Sequence, residues 1–330
     1  DTLNLIYTSV TTGNPKGVII PQKGDLRLVE NLSYVVLNKN SVILQASSLS
    51  FDACAFEIWG ALLNGGTLCL AEKEIIINPI DMKRVIDENA INTLFLTTSL
   101  FNYLVASNIK VFERVKSILF GGESASESSV SLFKQKYPSC YLCNMYGPTE
   151  ASTYTTYFKI KDEVPKRLPI GKPINDTSVF IIKDDTLCGI GIIGEICIGG
   201  IGISKGYYGM PEVTKEKFIS LMIGGKKEYL YRSGDLGRWL PDGNVEFYGR
   251  NDNQIKINGH RVELDEISNI LMKKAEIKDV VTVVKTVKGN RLICTYFTSD
   301  NQQDKDGILE YLSRYLTQNM MPAIVMQIPR

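Results

Sequence analysis

From residue 1 to about residue 165, short apolar runs of strand length alternate with segments of helical spacing. That alternation restricts the fold more than any other feature of the chain. Strand candidates fall at residues 41–46, 67–71, 92–96, 117–120 and 141–145, and helical spacing at 26–37, 53–63, 79–89 and 128–137. Strand–helix alternation predicts an α/β portion with mostly parallel sheets flanked by helices. From about 166 to 249 the texture changes: glycines and prolines become dense between β-branched runs, and Asp242-Gly243 marks a hairpin turn. This stretch predicts a smaller β subdomain. After Gly249-Arg250 the order becomes strand, helix, strand, strand, helix, a compact α+β C-terminal domain, with 299–306 as a polar surface loop. The domains expected are therefore 1–165, 166–250 and 251–330.

The bulk numbers fit that division. A chain of 330 residues suits two or three units, and 44% hydrophobic with 22% charged residues is ordinary globular composition. A net charge of +1 gives no general attraction to nucleic acid or an acidic membrane, so any anion site must be local. No apolar run approaches the roughly 18 residues of a membrane span. The chain begins at Asp1 on the approach to a strand, which reads as a piece excised from a longer protein. Seven scattered cysteines, mostly within apolar runs, read as reduced core thiols of a cytoplasmic protein. Cys140 and Cys143 mimic a C-x-x-C pair, but an odd offset on a strand points them to opposite faces. The single histidine, His260, leaves little room for a Ser-His-Asp apparatus.

Residues 7–17 (YTSVTTGNPKG) are the first segment that carries chemistry. An apolar strand empties into a loop of hydroxyls, glycines and one lysine. Hydroxyls and backbone N–H groups donate to phosphate oxygens, Gly13 and Gly17 allow close backbone approach, and Lys16 is a mobile point charge. The Walker spacing is absent. Taken alone, the segment is also consistent with an ordinary turn.

Five further segments stand in order behind it. They are Phe51-Asp52-Ala53; 144–150 (NMYGPTE); 194–200 (GEICIGG); 231–235 (YRSGD); and 249–264 (GRNDNQIKINGHRVEL). With these six ordered motifs the chain closely resembles the adenylation domains of nonribosomal peptide synthetases, within the superfamily of adenylate-forming enzymes. The resemblance runs over nearly all of its length.

The resemblance implies ATP-dependent activation of an amino acid as an aminoacyl-adenylate, with release of pyrophosphate. Thioester transfer to the phosphopantetheine arm of a peptidyl carrier protein would follow, among neighbouring synthetase modules. It implies that Thr8, Ser9, Thr11, Thr12, Gly13 and Lys16 cradle the β- and γ-phosphates. Thr149 and Glu150 would meet the α-phosphate, with Glu150 holding Mg²⁺, an ion that favours carboxylate oxygen. Tyr146 would stack on adenine, with Asn144 and Gly122 along its edge. Asp235 would accept the ribose hydroxyls, flanked by Arg250. Asp252 would be the hinge about which the small C-terminal domain turns, after which Lys256 and Gly259 face the carrier arm.

For the substrate, the resemblance pairs Asp52 with the α-ammonium; the plainer reading of Asp52 is a helix N-cap. The pocket positions carried over are Ala53, Phe56, Phe95, Leu119, Gly121, Met145, Thr153 and Tyr154. The set holds no charge, so an ionic side chain would go unpaired, and Phe56, Phe95 and Met145 fill the volume an indole would need. A branched aliphatic amino acid (valine, isoleucine or leucine) is expected.

Two departures stand out. Val10 replaces the glycine usual in the phosphate loop, and a β-branched residue resists φ > 0. The sequence also starts after the first part of the family's first subdomain. It stops short of the segment bearing the family's catalytic lysine, which predicts poor adenylation by these 330 residues alone. The alternatives are a D-alanine–carrier protein ligase, an acyl-CoA synthetase-like adenylate former, or a degenerate nucleotide-binding scaffold domain.

Overall fold

A computed structural model describes residues 1–8, 15–161, 163–251, 254–257, 260–287 and 290–329. At 254–257, 260–261, 263, 286–287, 290–291 and 319 it describes the backbone alone. The chain divides into two compact units, Asp1–Tyr7 with Gly17–Asn251, and Thr8–Lys16 with Asp252–Arg330.

The elements run β1 (Thr2–Thr8), β2 (Lys16–Pro21), α1 (Gln22–Leu26), β3 (Val42–Gln45), α2 (Cys54–Leu62) and β4 (Thr67–Leu70). Next come α3 (Lys73–Ile77), α4 (Pro79–Glu88), β5 (Thr93–Thr97), α5 (Thr98–Asn108), β6 (Ser117–Gly121), α6 (Glu127–Lys136) and β7 (Tyr141–Tyr146). β8 (Thr156–Ile160) and β9 (Lys172–Pro173) complete a seven-stranded sheet of order β4-β3-β5-β6-β7-β8-β9. Its first five strands are parallel, and β8 and β9 run antiparallel.

Side-chain alternation along these strands separates two cores. Leu94, Leu96, Ile118, Phe120 and Leu142 face one side, where they pack with Met82 and Ile86 of α4, Phe101 and Leu104 of α5, and Phe133 of α6. Phe101 stacks on Phe120 with centroids 4.7 Å apart. Phe95, Leu119, Cys143 and Met145 face the other side, against Ala55 and Phe56 of α2. Cys140 and Cys143 accordingly join different cores, as their spacing requires. Burial pushes both thiols up to about 12, leaving them protonated and unreactive.

The spacing of 26–37 misleads. No helix covers it; α1 ends at Leu26 and the chain turns, with Asn31 at φ 49°. Leu28, Val29, Tyr34 and Val35 are buried all the same, so their apolar periodicity reports burial of an irregular segment. The Tyr34 hydroxyl donates to the Leu28 carbonyl at 2.5 Å, and the Arg27 guanidinium donates to the Ala151 and Ser152 carbonyls. Those tertiary bonds outweigh local helix propensity.

The rest of the first unit comprises β10 (Thr177–Lys183), β11 (Thr186–Leu187), β12 (Gly194–Gly200), α7 (Pro211–Lys217), β13 (Phe218–Ile223), β14 (Lys226–Trp239) and β15 (Val245–Arg250). They form an antiparallel sheet of order β11-β10-β12-β14-β13, with β15 paired to β14 across the Asp242-Gly243 turn. Gly171, at φ 90°, exchanges backbone hydrogen bonds with Val245 and so joins the two sheets.

The second unit holds β16 (Gln254–Ile257), β17 (His260–Glu263), α8 (Leu264–Met272), β18 (Ile277–Val287), β19 (Asn290–Ser299), α9 (Lys305–Ser313) and β20 (Ile324–Gln327). β16 and β17 make a hairpin, and β18-β19-β20 a sheet whose last pair is parallel. Ile267, Ile270 and Leu271 of α8 and Ile308 and Leu312 of α9 close its core. No helix among the described residues is long and apolar enough to cross a membrane.

Candidate functional site

Parallel strands β5, β6 and β7 deliver side chains to the carboxyl ends of the sheet, where open α/β folds hold ligands. Register places Phe95 beside Leu119, and Gly121 beside Met145. Phe95, Leu119 and Met145 belong to one buried cluster with Ala53, Phe56 and Tyr154, each at most 4% exposed. Gly121 is required by close approach, since a Cβ there would overlap the Met145 carbonyl oxygen. The Tyr154 ring lies 5.7 Å from Phe56 and 5.3 Å from Phe95, centroid to centroid. Eight expected pocket positions thus converge within one unit, the eighth being Thr153 at the rim.

Asp52 immediately precedes Ala53 of that cluster. Its carboxylate accepts a 2.5 Å hydrogen bond from the Thr149 hydroxyl, and its carbonyl accepts one of 3.1 Å from the Thr153 hydroxyl. It does not cap α2: the cap position is Ala53, with no side-chain cap bond. The plainer reading of Asp52 is therefore set aside on geometry. Residues 149–153 carry unusual backbone, with Ser152 at φ 51° and Thr153 at φ 66°. A β-branched residue at positive φ is a true outlier, and such strain persists where surrounding bonds over-determine it. Here the bonds from Arg27, from Thr153 to Asp52, and from Ser152 Oγ to the Gly202 carbonyl at 2.7 Å do so.

A second constellation forms around Asp235, 6% exposed. The Tyr146 hydroxyl donates to one carboxylate oxygen at 2.5 Å, and Arg250 pairs with the other at 2.6 Å. Asp235 and Arg250 are direct cross-strand partners of β14 and β15, so the pair follows from register. Burial first, then the neighbouring carboxylate, pushes the Tyr146 phenol well up, keeping it a donor.

Glu195, whose role the 194–200 motif does not reveal, holds the turn that precedes Asp235. Its carboxylate accepts from the Gly234 amide at 2.9 Å and from Arg232 at 2.8 and 2.6 Å. This fixes the turn that presents Asp235. The available signal was an acidic residue inside a buried run, β12. Tyr207 was likewise unassigned; its hydroxyl donates to Glu150, fully buried, at 2.8 Å.

Other expected residues sit as follows. The Asn144 amide donates to the Pro169 carbonyl at 3.0 Å, and Gly122 follows β6 at φ 99°. Thr8 ends β1 and Lys16 opens β2. Ser9, Val10, Thr11, Thr12, Gly13, Asp252 and Gly259 lie outside the described residues, as does the Lys256 side chain. Among the described residues, no group of three or more His, Cys, Asp or Glu side chains is arranged around a metal.

Behind Asp52 lies a small cavity of about 50 Å³, lined by Asn4, Asp25, Ser152 and Thr153 among others. Asp25 is 3% exposed and accepts a 2.6 Å bond from the Asn4 amide. Burial, aided by the charge of Asp52, pushes its carboxyl up to about 6 despite Asn4 and Arg27. A raised folded-state value favours the protonated fold. This contribution is complete below the ordinary aspartate value of about 3.9 and is lost as pH rises through about 6. Urea unfolding of the Asp25→Asn protein should therefore show less decline between about pH 4 and pH 7 than the unaltered chain, by on the order of 2 kcal/mol. Parallel stability–pH curves would remove Asp25 from the account.

Comparisons with known proteins fit this geometry. The family described as AMP-binding enzyme matches residues 1–208. Bacitracin synthase 1 of Bacillus licheniformis is 42% identical over 328 residues, 98% of this chain but 6% of that protein. Surfactin synthase subunit 2 of Bacillus subtilis (strain 168) is 40% identical over 329 residues, 99% of this chain and 9% of its own length. The chain therefore spans less than a tenth of either relative. Among solved structures, holo-PA1221, an NRPS protein containing adenylation and PCP domains bound to a vinylsulfonamide inhibitor, superposes with a TM-score of 0.93 at 29% identity. That match covers 100% of this chain and 57% of the other. A second structure of PA1221, an NRPS protein containing adenylation and PCP domains, gives 0.91 at 29% identity, over 100% and 66%.

Proposed function

Because the chain belongs to the AMP-binding enzyme family, we propose that it activates a branched aliphatic α-amino acid with ATP. The aminoacyl group then passes to the phosphopantetheine thiol of a carrier protein within a nonribosomal peptide synthetase. The observation that carries this reading is one charged group adjoining a neutral cluster. Asp52 stands beside Thr149 and directly precedes Ala53, which shares one buried cluster with Phe56, Phe95, Leu119 and Met145.

In the first half-reaction a substrate carboxylate oxygen attacks the α-phosphorus of ATP. The bond from that phosphorus to the bridging oxygen breaks, and pyrophosphate leaves. Asp52 neutralises the ammonium and fixes the amino acid, so its carboxylate is presented in one orientation. Thr149 lies beside it, where its hydroxyl meets the α-phosphate oxygens. Asp235 and Arg250 take the ribose, and Tyr146 takes the base. Glu150 is the carboxylate of the Thr149-Glu150 turn that would hold Mg²⁺, and one carboxylate suits an ion that draws its other ligands from phosphate and water. That ion supplies neutralisation of the phosphate charge. Lys16 and the hydroxyls of residues 8–12 are assigned to the β- and γ-phosphates. In the second half-reaction the carrier thiol attacks the acyl carbon and AMP departs. Asp252, Lys256 and Gly259 are assigned to that state.

Pyrophosphate exchange with the protein as its gene encodes it tests the reading. Valine, isoleucine or leucine should support exchange at least about tenfold faster than tryptophan, aspartate or lysine, since an unpaired charge in this cluster is costly. Exchange driven best by a charged or indole side chain would overturn the substrate assignment, and exchange with no amino acid at all would overturn the reaction.

A further inference from the structure

Glu57 has no place in the chemistry above, yet it is fully buried in α2. Its carboxylate accepts from the Ala46 amide at 3.2 Å, from the Ser47 amide at 3.1 Å on both oxygens, and from the Ser47 hydroxyl at 3.0 Å. No cation is among these partners. Ala46 and Ser47 are the first residues after β3, and the chain they begin ends at Asp52 and Ala53 before entering α2. Glu57 thus ties the start of this loop to the helix that follows its end. The far end is tied by the bonds that Asp52 makes with Thr149 and Thr153.

We infer that Glu57 is a positioning residue for amino-acid recognition. By clamping the 46–53 loop between β3 and α2 it fixes where the Asp52 carboxylate stands, without touching substrate itself. The inference deepens the adenylation reading and rests on it for the role of Asp52. The chemistry supports a clamp rather than a general acid or base. Both oxygens face protein N–H and O–H donors, and a group so enclosed does not exchange protons with a ligand. Glutamine is a poor substitute for the ionised group, because its NH₂ would oppose the Ser47 N–H that the second oxygen accepts.

Ionisation tunes the clamp. Burial pushes the Glu57 carboxyl up to about 8 against the pull of the Ser47 and Ala46 bonds. The titratable groups facing it are the Cys54 thiol on the same helix and the Tyr154 phenol. Burial holds both protonated through this range. As pH rises through about 8, Glu57 loses its proton and gains an acceptor for the loop amides.

The test pairs Glu57→Gln with two readouts on the protein as its gene encodes it. Hydrogen exchange should accelerate about tenfold or more at the amides of 46–53, and little elsewhere. In pyrophosphate exchange the KM for the amino acid should rise about tenfold, with kcat and the KM for ATP within twofold. The ratio of mutant to unaltered amino-acid KM should widen as pH rises through about 8. Ser47→Ala removes one hydroxyl donor without burying a new group, and gives a smaller rise in the same direction, about twofold. It serves if Glu57→Gln does not fold.

Unchanged amide exchange over 46–53 would overturn the clamp. An ATP KM raised as much as the amino-acid KM would overturn its link to Asp52. The adenylation reading is judged separately: an unaltered protein that exchanges no pyrophosphate with any amino acid removes it, whatever the amides do.

Discussion

Replacing Asp52 with alanine should lower amino-acid-dependent pyrophosphate exchange by about two to three orders of magnitude in kcat/KM, while the protein stays folded. The size follows from charge. Removing one partner of a buried ion pair leaves the other uncompensated, a loss of roughly 3–5 kcal/mol, and the lost group here would face a substrate ammonium. Stability should move little, because the cap position of α2 is Ala53 and not Asp52. Its carboxylate accepts from a threonine hydroxyl that can turn to water. Asp52→Asn separates the two contributions, since it still accepts from Thr149 but carries no charge. Steady-state titration of the amino acid at saturating ATP checks both, and an Asp52→Asn protein with unaltered amino-acid KM would remove the ammonium assignment.

The second large effect is structural. Gly171→Ala should cost upwards of about 3 kcal/mol and leave little soluble protein. At φ 90° the backbone is one that L side chains rarely adopt, and a Cβ would overlap the Tyr157 carbonyl and the Phe158 nitrogen. Backbone atoms cannot rotate aside as a side chain would. The bonds at risk join the two sheets: Ile170 N–H to the Val245 carbonyl at 2.9 Å and Val245 N–H to the Gly171 carbonyl at 2.8 Å. Gly189→Ala is the control. Nothing lies within 4 Å of its Cβ position, so it should stay within about 1 kcal/mol of the parent, on either side of it. Urea denaturation of the two variants would decide the matter, and equal midpoints would contradict it.

How much of this was legible in the sequence depended on range. Strands 41–46, 92–96 and 141–145 were visible because parallel strands buried on both faces read as near-continuous apolar runs. The segment 26–37 failed for the opposite reason. Its periodic apolar residues are buried in a turn, held by Arg27 through carbonyls far along the chain and by Tyr34 through the nearby Leu28 carbonyl. Helix α5 was missed because its Ser, Asn and Thr content weakens the apolar stripe, although Thr97 caps it at the Leu100 amide. At the site, side chains named from ordered motifs converge: Tyr146 meets Asp235, and Asp52 meets Thr149. The supporting residues Glu57, Glu195 and Tyr207 were not legible, because each acts on a turn or side chain remote in sequence. A buried acid looks the same in one dimension whether it anchors a loop or simply lies near a helix end.

One feature of the Asp235 constellation bears on how a nucleotide would be taken up. Its two oxygens already hold the Tyr146 phenol and the Arg250 guanidinium. A ribose seeking that carboxylate meets two oxygens that each keep a further acceptor lone pair, and one that displaces the phenol frees its ring to swing toward the purine. By that route one donor replaces another, with little net heat from hydrogen bonding. Selectivity would then rest on what the released ring finds to lie against, so a ribose phosphate without its base should be held poorly.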